Sequence, residues 1–330
     1  MKKVLITGAS GFLGSHLTRE MYRQGYEVRV LVRQGANLAA ITDVPCEVFY
    51  GCIDVQADVL EAVAGCDVVV HTASLTGQYG ISFETYEQVN VTATRYVVEA
   101  CLQHQTERLV YVSTANTLAP GSKLEPGTEL NGFTLFKANS GYINSKYLAQ
   151  QYVLEQVARR GLPAVVLNPT FMIGPQDLKP SSGQLVLHGL NRRLVLYPPG
   201  GKNFVHVRDV CRGVMNAIDK GRPGDCYLLA GSNMSYKEFF SMVTRVSGRP
   251  VVLLQIPGVI LRLGGLLGSL LERLTRRPQR LTQTTAYLLC LDNYYSGRKS
   301  ERELALHYQP AEEMVNEAVT WFRQNGYTKA

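Results

Sequence analysis

The sequence predicts an α/β fold: a doubly wound parallel sheet with a smaller C-terminal domain. Three observations carry this. In the first half, short runs of nearly continuous Val, Ile and Leu alternate with helical stretches, as parallel strands buried on both faces require. A glycine-rich turn follows the first of these runs at once. From Asn168 the rhythm stops and prolines crowd the chain.

Residues 3–7 (KVLIT) form the first expected strand, and a helix is expected over 13–24. Further strands are expected at 27–32, 48–50, 68–70, 109–112 and 164–167. Helical spacing of apolar residues marks 85–102 and 143–159 among the connections. Pro169, Pro175, Pro180, Pro198 and Pro199 then interrupt the pattern, and helices return near the end. A late strand at 226–230 suggests that 205–229 rejoins the sheet. The expected division is 1–167 plus 205–229 for the sheet domain, and 168–204 plus 230–330 for the smaller one.

Composition narrows the function. The 330 residues are 45% hydrophobic and 18% charged, so the chain can bury a large core and is not disordered. The net charge of +7 is spread without a Lys/Arg run, so nucleic acid is not an expected partner. The apolar region 251–271 is broken by Gln255, Pro257 and Arg262, short of a spanning helix. Residues 1–7 reach a glycine turn without the apolar stretch of a signal peptide, so a cytoplasmic chain is expected. The seven cysteines include no CxxC and no Cys/His spacing, which predicts reduced thiols and no metal site.

The glycine turn reads Gly8-Ala9-Ser10-Gly11-Phe12-Leu13-Gly14. Glycine there permits a tight turn and close approach of backbone to a pyrophosphate. The helix that follows offers N–H groups and a positive dipole to the anion. Because strand, turn and helix agree, Gly8, Ser10, Gly11, Phe12, Leu13 and Gly14 are expected to hold a dinucleotide in a Rossmann site. The second strand ends Leu31-Val32-Arg33, with no acid for a ribose 2′-hydroxyl. Arg33 suits a 2′-phosphate instead, which favours NADP(H) over NAD(H).

Tyr142-Ile143-Asn144-Ser145-Lys146 places a phenol and an ammonium four residues apart, on one side of a helix. A free phenol, with a pKa of about 10, is a poor acid–base at neutral pH, and a cation nearby favours its ionised form. The spacing alone also describes a surface helix. It gains weight beside Ser113-Thr114-Ala115 at the end of the fifth strand, His71-Thr72-Ala73-Ser74 at the end of the fourth, and Asn90 within Val-Asn-Val.

With these motifs, Asn168-Pro169, Gly174-Pro175 and Phe204–Val210 in the same order, the chain resembles the extended short-chain dehydrogenase/reductases over nearly its whole length. The resemblance implies that Tyr142 is the general acid/base and that Lys146 holds the nicotinamide ribose and tunes Tyr142. It implies that Thr114 is the catalytic hydroxyl, Ser113 being the lesser candidate, and that Asn90 organises the helix and a water near the proton path. It places His71, Thr72, Ala73, Ser74, Asn168 and Pro169 around the cofactor. At Gly51-Cys52-Ile53-Asp54 the chain departs from the family's Gly-Asp. Cys52 stands where the acid contacts adenine, leaving that contact to the Ile53 backbone, with Asp54 a weak substitute.

Within the family the chain is most similar to the dihydroflavonol-reductase-like group and the hopanoid-associated sugar epimerases. The matching stretches are 161–169, 174–180 and 321–327. This implies an oxidoreductase that reduces a ketone or aldehyde on an apolar small molecule, or oxidises the alcohol. The nucleotide-sugar epimerases and dehydratases are an alternative. They usually carry cations for a diphosphate, whereas 281–292 here is apolar and has no arginine. A 3β-hydroxysteroid or sterol dehydrogenase is another. A cofactor-binding sensor or scaffold is the non-enzyme alternative.

Ile256, Val259, Ile260, Leu263, Leu266, Leu267, Leu270, Leu271 and Leu274 recur at spacings of three and four, opposite Gly258, Gly264, Gly265, Gly268 and Ser269. Arginines follow at 273, 276, 277 and 280. Two readings fit: a helix whose apolar face packs over the cleft, or peripheral membrane contact through 256–280. Phe171, Met172, Tyr197 and Phe204 fit either a pocket lining or a core. Tyr86, Val89, Tyr96 and Val97 fit either a homodimer face on 85–102 and 143–159 or the core.

Overall fold

The computed structural model describes residues 1–77 and 79–328. The chain runs β1 (Lys3–Thr7), α1 (Phe12–Arg23), β2 (Glu27–Val32), β3 (Glu47–Tyr50), α2 (Gln56–Val63) and β4 (Val68–His71). It continues through α3 (Phe83–Tyr86), α4 (Ala93–Gln103), β5 (Arg108–Val112), α5 (Gly141–Arg160), β6 (Ala164–Pro169), β7 (Phe171–Ile173), α6 (Gly183–Leu190), β8 (Leu194–Tyr197) and β9 (Gly201–His206). The last part holds α7 (Val207–Lys220), β10 (Cys226–Leu229), β11 (Ser232–Ser235), α8 (Tyr236–Ser247) and β12 (Val252–Gln255). It closes with α9 (Gly258–Thr275), α10 (Gln283–Leu289), β13 (Asp292–Asn293), α11 (Arg298–Glu303) and α12 (Ala311–Gln324).

Seven strands form one sheet in the order β10-β6-β5-β4-β1-β2-β3, every neighbouring pair parallel. Successive strand residues face opposite sides. Val4, Ile6, Val30, Val70 and Val110 therefore pack with Leu17 and Met21 of α1 and Val210 and Val214 of α7. Leu5, Leu31, Val69, Leu109 and Tyr111 pack with residues of α2, α4 and α5 on the other side. The order reverses direction at β1 and β4, and the crevice beyond their carboxyl ends is where such sheets take ligands.

A four-stranded sheet of β7, β9, β11 and β13 and the parallel ribbon β8–β12 make up the second layer. Its core holds Tyr197, Phe204, Phe239, Phe240 and Phe322. Of the stretch expected to rejoin the large sheet, α7 and β10 do so, whereas Val205 and His206 complete β9 in the smaller sheet. The expected continuous helix over 85–102 is divided: residues 87–92 widen into a π-helical turn between α3 and α4. Tyr86 and Val97 are buried within the chain, and Val89 and Tyr96 are half-buried.

Candidate active site

The site begins at the glycine turn. Gly8 has φ +75°, and a Cβ there would stand 2.8 Å from Ala73 N and 2.9 Å from the Thr72 hydroxyl. Gly14 lies against the Gly8 carbonyl with no room for a side chain. Helix α1 has no side-chain cap and no acid in its first turn, so its positive end faces the turn uncompensated. This cradle fits a pyrophosphate, with Ser10 and Gly11 exposed at its rim, Phe12 half-buried and Leu13 buried in the core.

The Thr7 hydroxyl joins the tips of β1 and β4. It lies 2.8 Å from His71 Nδ1 and accepts from Ala73 N at 3.2 Å, while the Thr72 hydroxyl donates to the Thr7 carbonyl at 2.7 Å. His71 Nε2 lies 3.1 Å from the Thr94 hydroxyl. Both ring nitrogens are thus engaged inside the fold and neither is left for a cofactor. Burial lowers the His71 pKa to about 3. Ser74 donates to Asn90 Oδ1 at 3.0 Å.

Asn90, in the π-helical turn, has every polar valence filled. Its Oδ1 accepts from Ser74 and from Leu75 N at 2.7 Å, and its Nδ2 donates to the Leu75 carbonyl at 3.2 Å and to Ser145 at 2.9 Å. It therefore positions the 74–75 loop against α5. The Asn90 amide is therefore a positioning group, while its backbone carbonyl accepts from the Thr94 hydroxyl at 2.6 Å.

Tyr142 sits in the first turn of α5, whose start is fixed by the Ser140 cap and by the Tyr86 ring lying on Gly141. Burial pushes the Tyr142 phenol up to about 12, and the Thr114 side chain beside it pulls the other way. Thr114 is itself held at the rim of the sheet, accepting from Asn116 N at 3.3 Å. Lys146 is buried and donates to the Val112 carbonyl at 2.8 Å, with Nζ 4.3 Å from the centre of the Tyr111 ring. Its desolvation lowers the amine to about 7. The Thr114 side chain thus lies beside the phenol, while Lys146 is anchored inward on β5. Ser113 is buried, and its hydroxyl has no hydrogen-bond partner among the described residues.

Asn168 and Pro169, expected at the cofactor, lie buried in β6. Asn168 Nδ2 reaches the Thr114 carbonyl at 3.1 Å, the Thr117 hydroxyl at 2.9 Å and Gln150 Oε1 at 2.8 Å. It braces the catalytic turn from beneath. Gln150, Thr117 and Ser145 were not expected from the sequence; their signal is polar side chains on the buried face of an otherwise apolar helix and turn. Asn293 Nδ2 also donates to Asn116 Oδ1 at 3.3 Å, tying the smaller sheet to this turn.

At the adenosine end Arg33 is exposed just after β2, without an ion pair among the described residues. The Cys52 N–H is taken by Asp58 Oδ2 at 2.7 Å, from α2. Ile53 packs on the core beside it. Asp58 of α2 is thereby committed to the Cys52 backbone and packs against Gly51.

A cavity of about 1020 Å³ opens beside the start of α5. Tyr86 and Ser140 line one wall, and Arg262, Leu266, Arg273 and Tyr287 of α9 and α10 the other, with Lys137 between. Tyr197 and Phe204 are core residues of the smaller layer instead. Of the cavity's cations, Arg262 and Arg273 come from α9 and Lys137 from the turn before α5; none comes from the apolar 281–292 stretch. Among the described residues no cluster of His, Cys, Asp or Glu could hold a metal, and all seven cysteines are free.

The parallel sheet, the glycine cradle and a phenol–threonine–lysine cluster define the class of nicotinamide-dinucleotide oxidoreductases. Residues 4–230 match the NAD dependent epimerase/dehydratase family, and the chain belongs to it. A Synechocystis protein provisionally named dihydroflavonol 4-reductase is 28% identical over 98% of this chain and 95% of its own. Sterol demethylase protein B of Methylococcus capsulatus is 28% identical over 98% of both chains. A 3-beta-hydroxysteroid dehydrogenase of Mycolicibacterium neoaurum is 28% identical over 93% of this chain and 87% of its own. The crystal structure of gox2253 superposes with a TM-score of 0.88 at 30% identity, covering 100% of both chains.

Proposed function

We propose that the protein interconverts a ketone or aldehyde and its alcohol on a small molecule with an apolar body, using NADP(H). The observation that carries this is the pairing of Tyr142 with Thr114 beside the buried, carboxylate-free Lys146. A nicotinamide dinucleotide, when bound, supplies or accepts the hydride. The glycine cradle holds its pyrophosphate, and Arg33 pairs with its 2′-phosphate. Thr114 and Tyr142 bind the substrate oxygen together. Because burial keeps the phenol protonated at neutral pH, Tyr142 gives its proton to the carbonyl oxygen in reduction. Lys146 keeps a positive charge beneath the site below about pH 7. Residues 168–204 and 230–330 supply one wall of the substrate site, facing Tyr86, Lys137 and Ser140 of the cofactor-binding part.

The test is oxidation of NADPH by the purified chain across aliphatic, aromatic and polycyclic carbonyls. Turnover with one class supports the proposal; tight NADPH binding with no turnover on any of them supports a sensor. A second reading has one observation in its favour. Lys137, Arg262 and Arg273 in the cavity suit an anionic substrate group, as in a nucleotide sugar. Conversion of a nucleoside-diphosphate sugar without net cofactor turnover would establish that reading instead.

A further inference from the structure

The glycine face of α9, not its leucine face, packs onto the protein. A Cβ at Gly265 would meet the Ala286 methyl at 2.7 Å, and Gly268 lies directly against the Leu281 carbonyl. Leu261 is buried on the same side. Small residues let the backbone of α9 approach α10 closely. The consequence is that eight large apolar side chains between Val259 and Leu274 are 50–73% exposed. At 100° per residue they cover an arc of about 140° on the helix. Arg262, Ser269 and Arg273 occupy the strip between this arc and the packed face, and they line the cavity.

The apolar surface also extends along the chain. Leu194, Leu196, Val252 and Leu254 are exposed on one face of the β8–β12 ribbon, in paired register, and β12 leads straight into α9. A surface of this size on one helix marks an interaction site. The charges decide the partner. Residues 256–280 carry Arg262, Arg273, Arg276, Arg277 and Arg280 against the single acid Glu272. Two copies meeting through this face would bring two cationic clusters together, whereas anionic headgroups neutralise them. Among the described residues no helix is long and apolar enough to cross a membrane. An apolar arc flanked by arginines on a helix that does not span lies in the plane of a bilayer surface.

We propose that α9 docks the protein on an anionic lipid bilayer, leucine arc inward, with the cavity mouth along the helix's flank. Vesicle binding needs no turnover, so this surface stands or falls independently of the oxidoreductase reading.

The experiment is flotation of the full chain with vesicles of phosphatidylcholine alone or mixed with phosphatidylglycerol. The wild type floats with the mixed vesicles and less with the neutral ones. Combined Leu263→Ser, Leu267→Ser and Leu271→Ser weakens binding by at least about tenfold, the order expected for even one buried leucine. Combined Arg276→Gln, Arg277→Gln and Arg280→Gln removes the preference for anionic vesicles, at about fivefold per charge. None of these six side chains lines the cavity, so thermal unfolding and NADPH binding stay as in the wild type. A wild type that stays soluble with both vesicles overturns the proposal, and so does a serine variant that floats equally well. Light scattering that shows a dimer, converted to monomer by the serine changes, would assign the face to a second copy instead.

Discussion

Replacing Asn90 by Ala separates positioning from catalysis. The amide makes four hydrogen bonds, to Ser74, Leu75 N, the Leu75 carbonyl and Ser145. A net bond is worth about 0.5–1.5 kcal/mol, so the gross loss is about 2–6 kcal/mol. Ser74 and Leu75 are only half-buried and water reaches part of what they lose, which brings the expectation to about 3 kcal/mol. In a chain of this length that lowers Tm by about 4 °C. Asn90→Asp keeps both acceptor bonds and loses the two donor bonds, so it falls between. Calorimetry gives Tm, and NADPH oxidation gives kcat and KM. The drop in kcat should track the loss of order in the 74–75 loop, with the NADPH Kd rising alongside. An unchanged Tm and cofactor affinity beside a collapsed kcat would refute this account and return Asn90 to the proton path.

Arg33→Ala should raise the NADPH KM by about tenfold, the lower end for a charge-assisted bond at an exposed site, and leave NADH almost unchanged. Kinetics with both cofactors checks this, and an equal loss for both would make Arg33 an ordinary surface residue. Stability should fall on acidification. The folded His71 pKa, lowered to about 3, lies below the unfolded value of 6.5. The unfolded state therefore binds more protons between these values, and stability present above pH 6.5 is lost towards pH 3. Urea titrations across this window should show His71→Gln with a slope shallower by up to one proton, about 1.4 kcal/mol per pH unit.

The large sheet was legible because parallel strands buried on both faces need continuous apolar runs, and 27–32 or 109–112 cannot be read otherwise. The glycine turn was legible because its residues do their work with backbone alone. The support of the site was not. Asn168 and His71 sit in motifs that touch a cofactor elsewhere in sequence order, yet in space both face inward, Asn168 to the Thr114 turn and His71 to Thr7 and Thr94. Which way a buried polar side chain points depends on its partners across the fold, and the polarity of Gln150 and Thr94 does not name those partners. The π-helical turn at 87–92 likewise brings Asn90 to Ser145, a partner distant in sequence. Helix α9 reversed the usual rule that the apolar face is the packed one. Its glycines accept a close neighbour that leucines would exclude.

The central claim is that Tyr142 is the proton donor, and Tyr142→Phe tests it most directly. The change keeps the ring and removes the hydroxyl that lies beside Thr114. Once an accepted carbonyl is found, single-turnover NADPH oxidation at neutral pH is measured for both proteins, with NADPH affinity determined by fluorescence. The account predicts a rate lower by about 10²–10⁴-fold at nearly unchanged affinity. A variant that keeps more than about a tenth of the wild-type rate would contradict it.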